Sequence, residues 1–270
     1  MFLAQTPPFI DYVHLRPLFS QRSTDFGKLT LSKILSILSF YWLFATSMFK
    51  NYDFIILQPS GPVNKHTILK DMFPHLLAKL FRKKRIYYFH SSNFNRGVYY
   101  RGIWKWLFKF IYKNPHTIIY LLESEKTKLN FLSAENYYCL PNAVFRISKF
   151  KNFKPTKNIL FIGMIVEYKG VLGFIEIMKI LGPNGYTLNI VGDFRDEDFE
   201  RTFKNEIQNH GLNDFFYFHG ELLGERKERI FSECSILLHP SFEDLMPMCF
   251  LEALSIGMPI VSSDLPQFAD

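Results

Sequence analysis

Eight short apolar runs, separated by amphipathic stretches, constrain the fold more than anything else in this chain. They are YDFIILQPS (52–60), RIYYFHSS (85–92), TIIYLLES (117–124), NILFIGM (158–164), LNIVGD (188–193), FFYFHG (215–220), SILLHPS (235–241) and MPIVSSD (258–264). Each is continuously apolar rather than alternating, and a strand apolar on both faces must be covered on both. Helical patterns lie between several of them. GVLGFIEIMKILG (170–182) and FERTFKNEIQNHG (199–211) both close on a glycine, a common helix stop. Strands alternating with helices predict an α/β fold of parallel sheets with helices on their faces. Eight strands are enough for two Rossmann-like domains.

Charge divides the chain at the same place. Residues 1–150 hold 21 Lys and Arg against 7 Asp and Glu, and residues 151–270 hold 11 against 18. The first half is thus +14 and the second −7, which agrees with the net +7. The expected units are 1–150 and 151–270, joined near FRISKFKNFKPTKN (145–158). A chain that is 48% hydrophobic is not a disordered one. Cys139, Cys234 and Cys249 are too few and too scattered for a disulfide framework or a zinc site, which points to a reducing compartment. MFLAQTPPFI has neither a basic n-region nor a small-residue cleavage site, so no secretory signal is expected. ILSILSFYWLFATSMF (34–49) is shorter than the roughly 20 residues of a membrane span, and reads as a helix that is buried or lies at an interface.

The basic half should face something anionic. RGVYYRGIWKWLFKFIYKNPH (96–116) interleaves Arg96, Arg101, Lys105, Lys109 and Lys113 with Trp and Phe, and LFRKKR (80–85) adds four cations. A basic aromatic helix suits an anionic membrane surface, here through 80–85 and 96–113. Aromatics among cations also suit single-stranded nucleic acid, and an ordinary helix with a charged outer face accounts for the same residues.

Ligands of open parallel sheets bind beyond the carboxyl ends of strands. The polar groups there are His90, Lys169, Asp193, and Glu243 with Asp244 before a helix that starts near Met248. A helix N-terminus favours an anion such as a diphosphate. Glu252, one turn into that helix, can accept hydrogen bonds from a ribose diol, and Asp244 from sugar hydroxyls. An exposed acidic turn before a core helix would look the same. Asp193 fits a turn former, and His210, His219 and His239 read as structural or surface residues.

PSFEDLMPMCFLEALSIGMPIVSSDLP (240–266) resembles the signature of family 4 glycosyltransferases, retaining enzymes of GT-B fold. Asp244 and Glu252 have the spacing of that family's E-x(7)-E, and Gly257, Pro259, Ser263 and Asp264 follow in register. LFIGMIVEYKGV resembles F-x-G-R-x-x-x-x-K-G, IVGD resembles I-V-G-x-G, and YFHG resembles V-x-F-x-G. YCLPNAV and YYFHSS resemble two N-terminal motifs, so the likeness covers roughly 50–270. It implies two Rossmann-like domains facing across a cleft, the C-terminal one incomplete. It implies that Lys169 neutralises a donor diphosphate, Glu252 holds the ribose, and Asp244 or Glu243 touches the transferred sugar. Gly163 and the backbones of Leu245, Met246 and Met248 would lie on the donor side. His90 would face donor sugar and acceptor, and Asn142 would shape the cleft. No metal or other cofactor is expected, since cations and the helix terminus take the metal's role.

Three departures qualify the likeness. The first acid of the pair is Asp244, one methylene short, with Glu243 beside it. The motif's Arg is Met164, which removes a bidentate phosphate donor that a lysine cannot replace. The pattern also runs on beyond Asp270 in the family and has a longer start, so a truncated or degenerate copy is expected. The resulting expectation is a retaining hexosyltransferase. It would take a nucleotide-sugar to a glycan or lipid-linked acceptor in surface polysaccharide synthesis, with no nucleic acid as partner. Its expected place is the cytoplasm, peripheral at the inner face of the cell membrane. The competing readings are an inactive relative that binds nucleotide or membrane, a GT-B epimerase, and a nucleic-acid binder.

Overall fold

The structure, a computed structural model, describes residues 31–59, 65–90, 102–144 and 155–268. Expectations on the opening MFLAQTPPF, on Arg96 and Arg101, and on most of the joint at 145–158 lie outside the described residues.

Two parallel sheets form. The first has β1 (Phe54–Leu57), β2 (Lys84–Tyr88), β3 (Thr117–Tyr120) and β4 (Asn136–Cys139) side by side in chain order. The second has β5 (Asn158–Ile162), β6 (Thr187–Val191), β7 (Phe216–Phe218), β8 (Ile236–His239) and β9 (Ile260–Ser262). Its order is β7-β6-β5-β8-β9, all parallel. The chain therefore winds outward from β5 in one direction and then, after β7, returns to β5's other side. That reversal between β5 and β8 opens a crevice at their carboxyl ends, where parallel sheets take ligands.

All eight expected strands are present, and β4 is a ninth. Its NYYC is an edge strand with no fully buried residue, so no apolar run announces it. The expected helices are α5 (Gly173–Leu181) and α6 (Glu197–Asn209), the latter capped by Asp196, whose side chain accepts from Phe199 N–H at 2.8 Å. α7 (Glu225–Glu233) precedes β8, and α8 (Met248–Ser255) follows it. Phe161, Phe174, Phe203 and Leu188 are fully buried in one face of the second sheet, and Leu160, Leu237 and Phe231 in the other.

In the first half, α1 (Leu31–Ser47) packs through Phe44, with Met48 just beyond it, and turns Leu31, Leu35, Leu38 and Trp42 to solvent. No described helix is long and apolar enough to cross a membrane. α3 (Gly102–Tyr112), followed after β3 by a short α4 (Glu125–Leu129), buries Phe108, Ile111 and Tyr112. Its outer face is not a purely basic stripe: Ile103, Trp106 and Phe110 are exposed with Lys109, and the Trp106 and Phe110 rings stack at 5.3 Å.

One expected surface cation is buried. Arg85 is 7% exposed and is not available to a membrane. Its guanidinium donates to Asn114 O at 2.6 Å, to Lys113 O at 3.4 Å, to Ile111 O at 3.5 Å and to Tyr87 Oη at 3.0 Å. These carbonyls end α3, where intrahelical donors run out, so the planar five-donor group closes the helix. Beside it, Tyr112 donates to Asp71 Oδ2 at 2.9 Å on α2 (Lys65–Leu80). Arg85→Met keeps the bulk but strands those carbonyls. It should lower unfolding free energy by about 1–3 kcal/mol per unsatisfied group in urea denaturation, and Lys84→Met, at an exposed neighbour, should change it little.

Candidate active site

Two loops meet in the crevice. After β5 the chain runs through Gly163 and Met164 into a 3-10 turn, Glu167–Lys169, which Gly170 ends at φ +71°. After β8 it runs through Pro240 and Ser241 to Asp244. The loops touch backbone to backbone. Phe242 N–H donates to Tyr168 O at 2.9 Å, and a Cβ on Gly170 would stand 2.0 Å from Pro240 O. Only glycine permits both that conformation and that approach. Gly163 has a similar part: its carbonyl oxygen would lie 2.0 Å from a Cβ on Gly192, at the end of β6.

This contact sets Lys169 against Asp244, and the two form an ion pair. The Lys169 and Asp244 side chains are 12% and 18% exposed, so the pair is largely withdrawn from water. Asp244 Oδ2 also lies 3.0 Å from His239 Nε2, and its Oδ1 accepts from Leu245 N–H at 3.1 Å. Burial alone would raise the Asp244 pKa, but the hydrogen bonds from His239 and Lys169 outweigh it and hold the carboxyl below its usual value. His239, read from sequence as structural, is thus a direct partner of Asp244. It is 1% exposed, faces Phe161 with ring centroids 6.1 Å apart, and meets the edge of Phe250 at 5.1 Å. Its position at the carboxyl end of β8 was the available signal.

Asn142 joins this cluster from the other half. Its side-chain Nδ2 donates to Met246 O at 3.0 Å and its backbone N–H to Met246 Sδ at 3.2 Å. Met248 begins α8, where Pro247 supplies no capping side chain. Glu243 is tied through its backbone to the Ser241 hydroxyl, at 3.0 and 3.4 Å, so Asp244 rather than Glu243 makes the Lys169 contact.

Glu252, in α8, pairs with Lys227 of α7 at 2.7 Å through Oε1, while its buried Oε2 has no hydrogen-bond partner. Nothing in the sequence singled out Lys227. Cys249 lies within the fields of both pairs. Burial first, then the carboxylates of Asp244 and Glu252, push its thiol up to about 12, with Lys169 and Lys227 pulling the other way. His90 belongs to the first sheet, just past β2, its ring 4.3 Å from that of Tyr88. Burial lowers its pKa. Among the described residues, no group of three or more His, Cys, Asp or Glu could hold a metal ion.

Comparison with known proteins gives this geometry a frame. Residues 145–270 match the family model described as Glycosyl transferases group 1. An uncharacterized 41.2 kDa protein in the cps region of Klebsiella pneumoniae is 27% identical over 108 residues, 40% of this chain and 28% of that protein. The O-antigen chain mannosyltransferase RfbU of Salmonella typhimurium is 22% identical over 181 residues, 67% of this chain and 50% of its own. The chain spans half or less of the length of these curated relatives. Among solved structures, Anabaena Alr3699/HepE in complex with UDP-glucose superimposes with a TM-score of 0.64 at 15% identity. That match covers 87% of this chain and 64% of HepE. The chain therefore carries the GT-B fold, and its residues 145–270 are similar to Glycosyl transferases group 1.

Proposed function

We propose that the chain is a glycosyltransferase of the retaining, family 4 type. It moves a sugar from a nucleotide-sugar donor to a glycan or lipid-linked acceptor in surface polysaccharide synthesis. The observation that carries this is the Lys169–Asp244–His239 cluster at the β5/β8 reversal, beside the uncapped start of α8. An anionic donor placed there meets an ammonium and free helix N–H groups. RfbU, an O-antigen mannosyltransferase, and HepE, seen with UDP-glucose, support the reading.

Lys169 is held by Asp244. A diphosphate offers Lys169 a stronger anionic partner, and the Asp244 carboxylate, still fixed by His239, turns to the sugar hydroxyls. A depressed pKa keeps Asp244 ionised for that task. Glu252 accepts from the ribose, Leu245, Met246 and Met248 line the donor side, and His90 comes from the acceptor side of the cleft. The diphosphate leaves with its charge balanced by lysine and helix terminus, with no metal required. The exposed Ile103, Trp106 and Phe110 beside Lys109 suit an anionic bilayer carrying a lipid-linked acceptor, which supports a peripheral position at the inner face of the membrane. Met164 favours a second reading, a relative that binds nucleotide without turnover.

Thermal unfolding with UDP-, GDP-, ADP- and dTDP-sugars at millimolar concentration tests both. A selective rise in melting temperature is expected; the absence of any rise across the four would remove the donor site. Transfer assays with the stabilising donor then separate an enzyme from a binder. Lys169→Gln should weaken donor binding by about ten- to a hundredfold, the worth of one charge-assisted hydrogen bond. Gly170→Ala should do the same without touching a polar group, because its Cβ drives the two loops apart.

Acid should also act through Asp244. Its folded pKa lies below the unfolded value of about 3.9, so the pair's contribution to stability is present above that pH and is lost as pH falls through the folded pKa. Asp244→Asn should therefore lose less stability than wild type between about pH 5 and pH 2 in urea titrations.

A further inference from the structure

Two lysine–carboxylate pairs flank the first turn of α8, and only one of them follows a motif. Lys169–Asp244 comes from the loops after β5 and β8. Lys227–Glu252 comes from α7, an element with no expected role, and its side chains are 25% and 18% exposed. Cys249, three residues before Glu252 on α8, has its Sγ 3.8 Å from Nδ1 of His239, whose Nε2 meets Asp244, so the two pairs adjoin one patch around that helix turn. Glu252 Oε2, buried and without a hydrogen-bond partner, leaves the second pair incomplete. A buried carboxylate oxygen is costly to leave unmade.

Two ammonium groups in one patch match the two phosphates of a diphosphate. Met164 stands where the resembled motif has an arginine, a bidentate donor, and a single lysine is a point charge that reaches one phosphate. Resting on the donor reading above, we propose that Lys227 is a donor-binding residue that takes the phosphate next to the ribose, while Lys169 takes the phosphate next to the sugar. The order follows from the partners. Lys227 is bonded to Glu252, the ribose side of the site, and Lys169 to Asp244, the sugar side. When the donor arrives, Lys227 shares its charge between Glu252 and the phosphate, and Glu252 Oε2 accepts from a ribose hydroxyl.

A purely structural Lys227 would only hold Glu252 in place, and the two roles separate in a binding series. The nucleoside, its monophosphate and its diphosphate would be titrated calorimetrically, for whichever of UDP, GDP, ADP and dTDP binds wild type best. Lys227→Gln should weaken monophosphate and diphosphate alike by about tenfold or more, as for a lost charge-assisted contact, and leave the nucleoside nearly unchanged. Lys169→Gln should weaken the diphosphate far more than the monophosphate. Lys227→Met gives a second folded background, and Met164→Arg within Lys227→Gln should recover diphosphate affinity. Unchanged monophosphate binding in Lys227→Gln overturns the proposal. So does an equal loss for the nucleoside, which would mean that Lys227 acts only through Glu252. If wild type binds none of the four diphosphates, the donor reading falls together with this one. If Lys169→Gln is impaired and Lys227→Gln is not, this one falls alone.

Discussion

The ion pair between Lys169 and Asp244 is the contact on which the candidate site turns. It is short in sequence terms on neither side: 75 residues separate its ends. What brings them together is the winding order of the sheet, which sets β8 beside β5, and the glycine that lets the β5 loop lie on the carbonyl of Pro240. The charges do not make the fold. Burial of Phe161, Phe174 and their neighbours does that, and the ion pair is placed by it. Withdrawing such a pair from water costs desolvation, and at Asp244 the bonds from His239 and Lys169 outweigh that cost. His239 and Leu245 N–H, which satisfy the rest of the carboxylate, lower that cost.

The first half solves a different problem with a similar device. Its helices end against a sheet that carries Arg85 inward, and the guanidinium closes α3 where backbone donors run out. A cation in a basic run was thus spent on structure. The exposed face of α3 separately shows Ile103, Trp106 and Phe110 beside Lys109.

Much of this was legible in the chain, for a physical reason. Central strands of parallel sheets must be apolar on both sides, so β2, β3, β5, β6 and β8 announce themselves. Edge strand β4 is free of that demand and stayed hidden. Lys169, Asp244 and Glu252 were legible because they sit at fixed offsets from strand ends and glycines. His239 was not, since ILLH reads as the close of a buried strand, and only the sheet order shows that its ring meets Asp244. Lys227 lies in ERKERIFSE, where alternating charge is what any exposed helix face displays. Arg85 was misread because a charge in RKKR carries no mark of which way it points. Pairings across 25 or 75 residues are properties of packing, and a local pattern cannot hold them.

The paired charges have one more consequence, for encounter rather than for grip. Each lysine near α8 is cancelled by its own carboxylate, so the site projects little net field into solvent. On the donor reading, an approaching anion is not drawn in by the groups proposed to hold it. On that reading the long-range attraction comes instead from residues 1–150, which carry an excess of 14 positive charges. Capture is then steered from one side of the chain and completed on the other. Its rate should fall with ionic strength through residues that never touch the ligand.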